Sequence, residues 1–214
     1  MAAQPPATPQ APPAGMVEVP AGVFLFGPKK KEVVLDGFWI DPTPVTNTQF
    51  AAFLAASGRR PPQGWPPGGP PPDRAEHPVV GVTLADAEAY AAWAGKVLPT
   101  PAQFEKAARG ADGRKYPWGD DAGLRTTNTK EAGIAATTPV EAYPRGKSPF
   151  GCFDMAGNVL HWTRGAYDPQ KGTQALKGSS FRTYLGACAW SHEATPTRAE
   201  DHVGFRCVWK PPAP

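Results

Sequence analysis

The feature that most limits what this chain can fold into is its density of backbone punctuation: 28 prolines and 23 glycines in 214 residues. Each proline fixes φ and removes a backbone donor, while glycine favours turns, so long helices and broad inner strands are excluded over much of the length. The extreme is Pro61 to Pro72, reading Pro-Pro-Gln-Gly-Trp-Pro-Pro-Gly-Gly-Pro-Pro-Pro, which is neither helix nor inner strand. It reads as an ordered surface loop held near Trp65, or as a stiff linker. Met1 to Ala14 is likewise rich in Ala and Pro and carries no charge. Residues 1–15 are therefore expected to form a disordered arm, with one domain over residues 16–210. The arm lacks the basic and apolar regions of a signal peptide, and no later stretch is long enough to span a bilayer. That predicts a cytoplasmic protein with no membrane span, and leaves surface display by another route open.

Regular structure has to fit between these breaks. Val17 to Phe26 and Val33 to Ile40 are β-rich, with Val33, Leu35 and Phe38 on one face, and predict an opening hairpin. Thr46-Asn47-Thr48-Gln49 is a capping box for a helix that carries Phe50, Phe53 and Leu54 on one side and stops at Gly58. Thr83 with Asp86 starts a second helix, with Ala87, Tyr90, Ala91 and Ala94 inward and Gly95 at its end. Thr100, Pro101 and Gln103 start a third, with Phe104, Ala107 and Ala108 as its stripe before Gly110. Beyond Gly110 only short apolar runs recur between Gly, Pro, Asn and Asp, which predicts loop-rich β structure and an α+β fold.

Charge and cysteine usage remove several functions. The formal net charge is +3, and the longest basic run is Lys29-Lys30-Lys31, too little for a nucleic-acid groove. Cys152, Cys188 and Cys207 are odd in number and contain no Cys-x-x-Cys pair, so zinc is not expected. A Cys188–Cys207 disulfide stays open at this level.

Several motifs then line up in order. They are Val19 to Gly22, Pro44 to Asn47, Leu98 to Gly110, Pro117-Trp118-Gly119, Phe150 to Val159, Lys177 to Phe181 and Gly204 to Cys207. In sequence and spacing this set resembles the formylglycine-generating-enzyme/sulfatase-modifying-factor superfamily, from about Met16 to Val208. The resemblance implies a C-type-lectin-like fold with a small twisted antiparallel sheet and about three helices. Beside it, the residues keep plain structural roles: Trp118, Trp162 and Phe205 as core anchors, and Gly151, Gly157 and Gly204 as turn formers. Asn158 is expected to bridge loops, and Arg109 and Arg206 to form buried structural pairs.

Members that oxidise a cysteine use two thiolates to hold copper(I), a match of soft ligand to soft ion. The resemblance places that pair after the Lys-Gly-Ser segment, where this chain reads Phe181-Arg182-Thr183-Tyr184-Leu185-Gly186-Ala187, shorter and without cysteine. Cys188 and Cys207 match the family's structural cysteines instead. A second branch holds iron with three histidines on a helical domain; His77, His161, His192 and His202 are scattered here. No catalytic residue, and no enzyme activity, is therefore expected. For calcium the resemblance offers Asp154, Gly157 and Val159 as one site and Asn128 as part of another. His161 stands where the first motif has Glu, and Ala132 where the second has an acid, so both sites are eroded, and weak calcium binding or none, with no other cofactor, is expected.

One branch of the superfamily keeps the fold and abandons catalysis: the variable proteins of diversity-generating retroelements, whose C-terminal segment is mutated at adenines. Here the corresponding region is residues 177–208. Arg182, Thr183, Tyr184, Leu185, Gly186 and Ala187, with Ser191, His192, Ala199, Asp201 and His202, are residue types such mutagenesis reaches, whereas Trp190, Glu193 and Glu200 would be fixed. Tyr184, His192 and His202 with Arg182 and Arg198 give the aromatic, hydrogen-bonding and cationic mixture of a paratope. The expected function is non-catalytic binding of an unidentified protein ligand. The alternative is a divergent enzyme of the family, or an oxidoreductase with an unrecognised metal site.

Overall fold

The computed structural model describes residues 11–123 and 126–211; most of the expected N-terminal arm lies outside them. The opening hairpin forms, but as two paired segments. β1 (Val17–Val19) pairs antiparallel with β4 (Phe38–Ile40), and β2 (Gly22–Phe26) with β3 (Lys31–Leu35). The register runs on without a slip from Val17↔Ile40 to Phe26↔Lys31. The break falls at Pro20, which cannot donate to a ladder, and opposite it at Asp36–Gly37.

Three α-helices follow among the described residues: α1 (Asn47–Ser57), α2 (Leu84–Trp93) and α3 (Pro101–Arg109). Each starts on a complete capping box. Thr46, Thr83 and Thr100 accept from the amides of Gln49, Asp86 and Gln103, whose side chains accept from the threonine amides in return. Gly58 closes α1 in the left-handed conformation at φ 67°. α2 ends one residue earlier than expected, with Ala94 as its cap and Gly95 beyond it at φ 67°.

The C-terminal half is held by β5 (Leu160–Asp168), β6 (Thr173–Lys177), β7 (Ser191–Ala194) and β8 (Val203–Gly204), in the order β7-β6-β5-β8. This sheet is mixed rather than purely antiparallel, because β8 runs parallel to β5. β9 (Val208–Trp209) returns to the N-terminal hairpin and pairs with β4, so the two ends of the fold share one sheet.

Two apolar clusters fill the interior. One joins α1 and α2 to the C-terminal sheet through Phe50, Phe53, Tyr90, Trp162 and Phe205, with ring centroids 5.2–6.1 Å apart among Phe50, Phe53, Tyr90 and Phe205. The other packs Phe104, Ala107 and Ala108 of α3 against Phe38, Ile40, Met155 and Val208. A fully buried side chain of this kind contributes about 1.5–3 kcal/mol. Trp118 is not one of these anchors. It is half-buried, stacked on Tyr116 at 5.5 Å, and its indole N–H donates to the Asp121 carbonyl in a surface turn. Cys152, Cys188 and Cys207 are buried free thiols, so no 188–207 disulfide forms.

Candidate functional site

The segment from Gly178 to His202 hangs on a polar frame built by Asn158. That residue sits at φ 66°, a left-handed conformation that Asn tolerates better than most. Its amide group donates to the Thr138 carbonyl and Asp154 Oδ2, its Oδ1 accepts from the Thr138 amide, and its carbonyl accepts from the Phe181 amide. It thus bridges loops as expected and fixes where the segment leaves the core. Gly157 and Gly204 serve close approach rather than turn conformation. A Cβ on Gly157 would meet Thr127 Oγ1 at 1.7 Å, and one on Gly204 would meet the Val79 carbonyl at 2.5 Å. Arg109 pairs with Glu105 at 2.8 Å. Arg206, also buried, is held by the carbonyls of Asp41, Pro42 and Phe153, not by a carboxylate.

The turn from Arg182 to Ala187 is pinned from beneath. The Gly186 amide donates to Ser179 Oγ at 2.9 Å, the Ser180 amide to Thr183 Oγ1 at 2.8 Å, and the Thr183 amide to the Ser180 carbonyl. From the side, the Lys130 amide donates to the Thr183 carbonyl, and Glu131 Oε1 accepts from the Leu185 amide at 3.0 Å. The Lys130 ammonium lies 4.7 Å from the centre of the Tyr184 ring, a cation–π contact. Trp190 covers Gly186 so closely that a Cβ there would touch its ring at 3.0 Å. The backbone is therefore set by hydrogen bonds, while the side chains of Arg182 and Tyr184 stand in solvent.

The other expected residues take different places. Arg182 makes a forked pair with Asp201, Nε to Oδ1 at 2.8 Å and Nη2 to Oδ2, which holds the Asp201 carboxyl below its ordinary value. Arg198 faces Glu200 at 3.4 Å, and His202 lies between Glu200 and Asp201 at 3.7 and 3.4 Å. These side chains and Ala199 border one open cleft of about 550 Å³, whose opposite wall is Gln63, Gly64 and Gly81. Leu185 faces the other way, into a separate apolar cavity of about 550 Å³ with Ala132, Ile134 and Tyr143. Ser191 is exposed at the start of β7, opposite Lys177. His192 is half-buried with Nε2 unpartnered, and burial pushes its pKa down. It underlies the surface more than it displays it. Sequence reasoning missed Gln63, Gly64, Lys130 and Glu131. Trp190, 54% exposed, carried a usable signal, since a large aromatic in a polar loop marks a contact residue.

Asp154, which the resemblance offers as a calcium ligand, is buried and accepts from the Asn158 amide group at 2.9 Å. Burial pushes the Asp154 carboxyl up to about 7, against the pull of Asn158 and Arg206. Its carbonyl is 3.0 Å from His161 Nε2, and burial holds that imidazole neutral, far below its usual range. A neutral imidazole offers its ring N–H to that carbonyl, where the family motif has a carboxylate. Among the described residues no three His, Cys, Asp or Glu side chains gather in metal-binding geometry. Cys188, beside the Lys177–Glu105 pair, is pushed up to about 12 by burial, which leaves it a thiol and not a thiolate.

Residues 1–211 match the family described as the sulfatase-modifying factor enzyme 1-like domain. The chain belongs to that family. It is 31% identical to the formylglycine-generating enzyme of Thermomonospora curvata, over 92% of this chain and 94% of the enzyme. That alignment runs over 289 positions against the 214 residues here, so the enzyme carries insertions that this family member lacks. PvdO from Pseudomonas aeruginosa shares the fold at a TM-score of 0.76 and 23% identity, covering 96% of this chain and 99% of PvdO. Treponema denticola variable protein 1 shares it at 0.70 and 17%, covering 90% and 94%. The α+β, C-type-lectin-like architecture of the family is thus common to an enzyme and to a variable protein. No helix among the described residues is long and apolar enough to cross a membrane.

Proposed function

We propose that this protein is a non-catalytic binding scaffold that presents the surface from Arg182 to His202 to a protein ligand, and that this surface is diversified by a retroelement. One observation carries the reading: the interval expected to hold the family's catalytic thiols is a short, cysteine-free turn whose backbone is fixed from beneath and whose Arg182 and Tyr184 side chains face solvent. Such a turn tolerates change at Arg182 and Tyr184, because neither side chain supports the frame. Ser179, Ser180 and Asn158, which support it, lie outside the changeable positions. Thr183, whose Oγ1 accepts from the Ser180 amide, and Gly186, covered by Trp190, support it from within and are the least free to change. Fixed backbone with exchangeable side chains lowers the ordering cost of binding for any side-chain set displayed. The reading requires neither copper nor calcium.

A selected protein ligand, obtained by displaying a library varied at the candidate positions, tests it. Tyr184→Ala in the parent should weaken capture of the parent's ligand by about tenfold or more. Conversion of a cysteine-containing sulfatase-type peptide to its aldehyde with copper and oxygen would instead make the protein an enzyme of the family. In the flanking DNA, a near-copy of the last part of the gene that differs only at adenines is the expected companion of retroelement diversification.

A further inference from the structure

The cleft beside Arg182 does not end at the C-terminal segment. Gln63, Gly64 and Asp201 also border a narrower cavity of about 260 Å³, so the two join into one groove beneath the proline-rich loop. The second part is walled by Trp65, Pro71, Pro78 and Phe181, with Arg74 at its edge. This wall is fixed in place. The Gln63 amide donates to the Gly81 carbonyl at 3.1 Å, the Trp65 ring meets Phe50 edge-on at 6.3 Å, and the Pro71 carbonyl accepts from the Arg74 amide at 2.9 Å.

The groove's charges do not cancel. Its two acids, Asp201 and Glu200, already face Arg182 and Arg198. Arg74 is exposed and has no carboxylate oxygen within 4 Å among the described residues. The charge left over is positive and sits beside Trp65 and Pro71, with Asn47, Gln63 and Thr137 among the polar groups that share the lining.

We propose that this groove binds an extended acidic peptide segment of the ligand, a carboxylate meeting Arg74 and apolar side chains lying on Trp65 and Pro71. The inference rests on the recognition surface proposed above and names the chemistry of its partner. A guanidinium fork matches a carboxylate geometrically, and a proline-stiffened wall loses little entropy on binding. A nucleic-acid strand fits less well. It needs several free cations and exposed aromatic faces, whereas this groove has one unpaired arginine among the described residues, and its Trp65 is half-buried against the core.

Fluorescence anisotropy with a short labelled peptide of alternating leucine and glutamate is the test, beside a leucine–glutamine counterpart and an oligothymidylate. The glutamate peptide should bind at least about tenfold tighter than the glutamine one, and more weakly as salt rises. Arg74→Glu should remove that preference. Lys29→Glu, the same charge change on the β2–β3 turn outside the groove, should leave it intact. Equal binding of the two peptides, equal loss in both variants, or tighter binding of the oligothymidylate overturns the proposal. If the peptide fails while Tyr184→Ala still weakens capture of a selected protein ligand, the recognition surface stands and the acidic groove falls. If the peptide binds through Arg74 while capture is indifferent to Tyr184, the groove stands and the recognition surface falls.

Discussion

Asp154 illustrates how far a side chain's chemistry departs from its letter in the sequence. The family resemblance offers it as a metal ligand; in the fold its carboxyl is 6% exposed, and burial pushes it up to about 7, so it takes up its proton about three pH units above an ordinary aspartate. Nothing in the local sequence reveals this, because the shift comes from burial by residues distant along the chain. The consequence for stability has a definite sign. A carboxyl whose folded pKa is raised stabilises fully below its unfolded value and loses that contribution as pH rises through the folded one. Asp154 should therefore erode stability between about pH 4 and about pH 7, by an amount on the order of a few kcal/mol. His161, pushed down by burial, works the opposite way and weakens the fold as pH falls. Asp154→Asn separates the two, since asparagine keeps an acceptor for Asn158 and has no proton to lose. The advantage of the wild type over this variant in thermal melts should shrink steadily as pH rises across that window. Parallel melting curves at all pH values would mean that Asp154 ionises normally.

At the scale of elements, the three helices were legible because cap and stripe agree locally: each capping box spans four residues, and the side chains that decide it are within one turn. The hairpin was half legible. Its strands and register follow from alternation, but its division at Pro20 shows one missing donor outweighing a continuous β-rich run. The parallel pairing of β5 with β8 had no local signal at all, nor did the groove wall that brings Gln63 beside Asp201. Of the candidate site, the C-terminal side could be read from residue types, and the side supplied by the proline-rich loop could not. Gly81 is where that loop is seated. It has φ +71°, and a Cβ there would lie 2.5 Å from the Gln63 carbonyl oxygen. Gly81→Ala should cost about 1–3 kcal/mol through strain at a left-handed position and displacement of the loop. Faster amide exchange at Gln63 and Trp65, with α2 unchanged, is the expected signature. A variant that melts lower but keeps those amides protected would show that the loop is seated elsewhere.

Across the whole molecule, one buried carboxylate ties together parts that the chain order keeps apart. Glu105 of α3 accepts from the Gly27 amide in the β2–β3 turn at 2.6 Å, from Arg109 at 2.8 Å and from Lys177 of β6 at 2.9 Å, and the Lys177 pair is fully buried. The amphipathic rule puts helix charges in solvent, yet Gln103 to Arg109 are all buried, because Glu105 and Arg109 pair along the helix and every charge on it finds further partners elsewhere. Those partners are Lys177 for Glu105 and backbone carbonyls for Lys106 and Arg109. Glu105→Gln removes the charge and leaves Lys177 and Arg109 uncompensated, which should cost about 3–5 kcal/mol in a denaturant melt. Burial already pushes Lys177 below its usual range. Without Glu105 it is pushed further and folds more easily neutral, so the loss should shrink as pH rises towards the ordinary lysine range. Lys177→Met alone leaves Glu105 with Arg109 and should cost less than Glu105→Gln. Combining the two substitutions should destabilise by less than the sum of the separate effects, since the second removes the charge that the first exposes. Strict additivity would mean that hairpin, helix and sheet are held by packing alone, and that the ion cluster is incidental to their assembly.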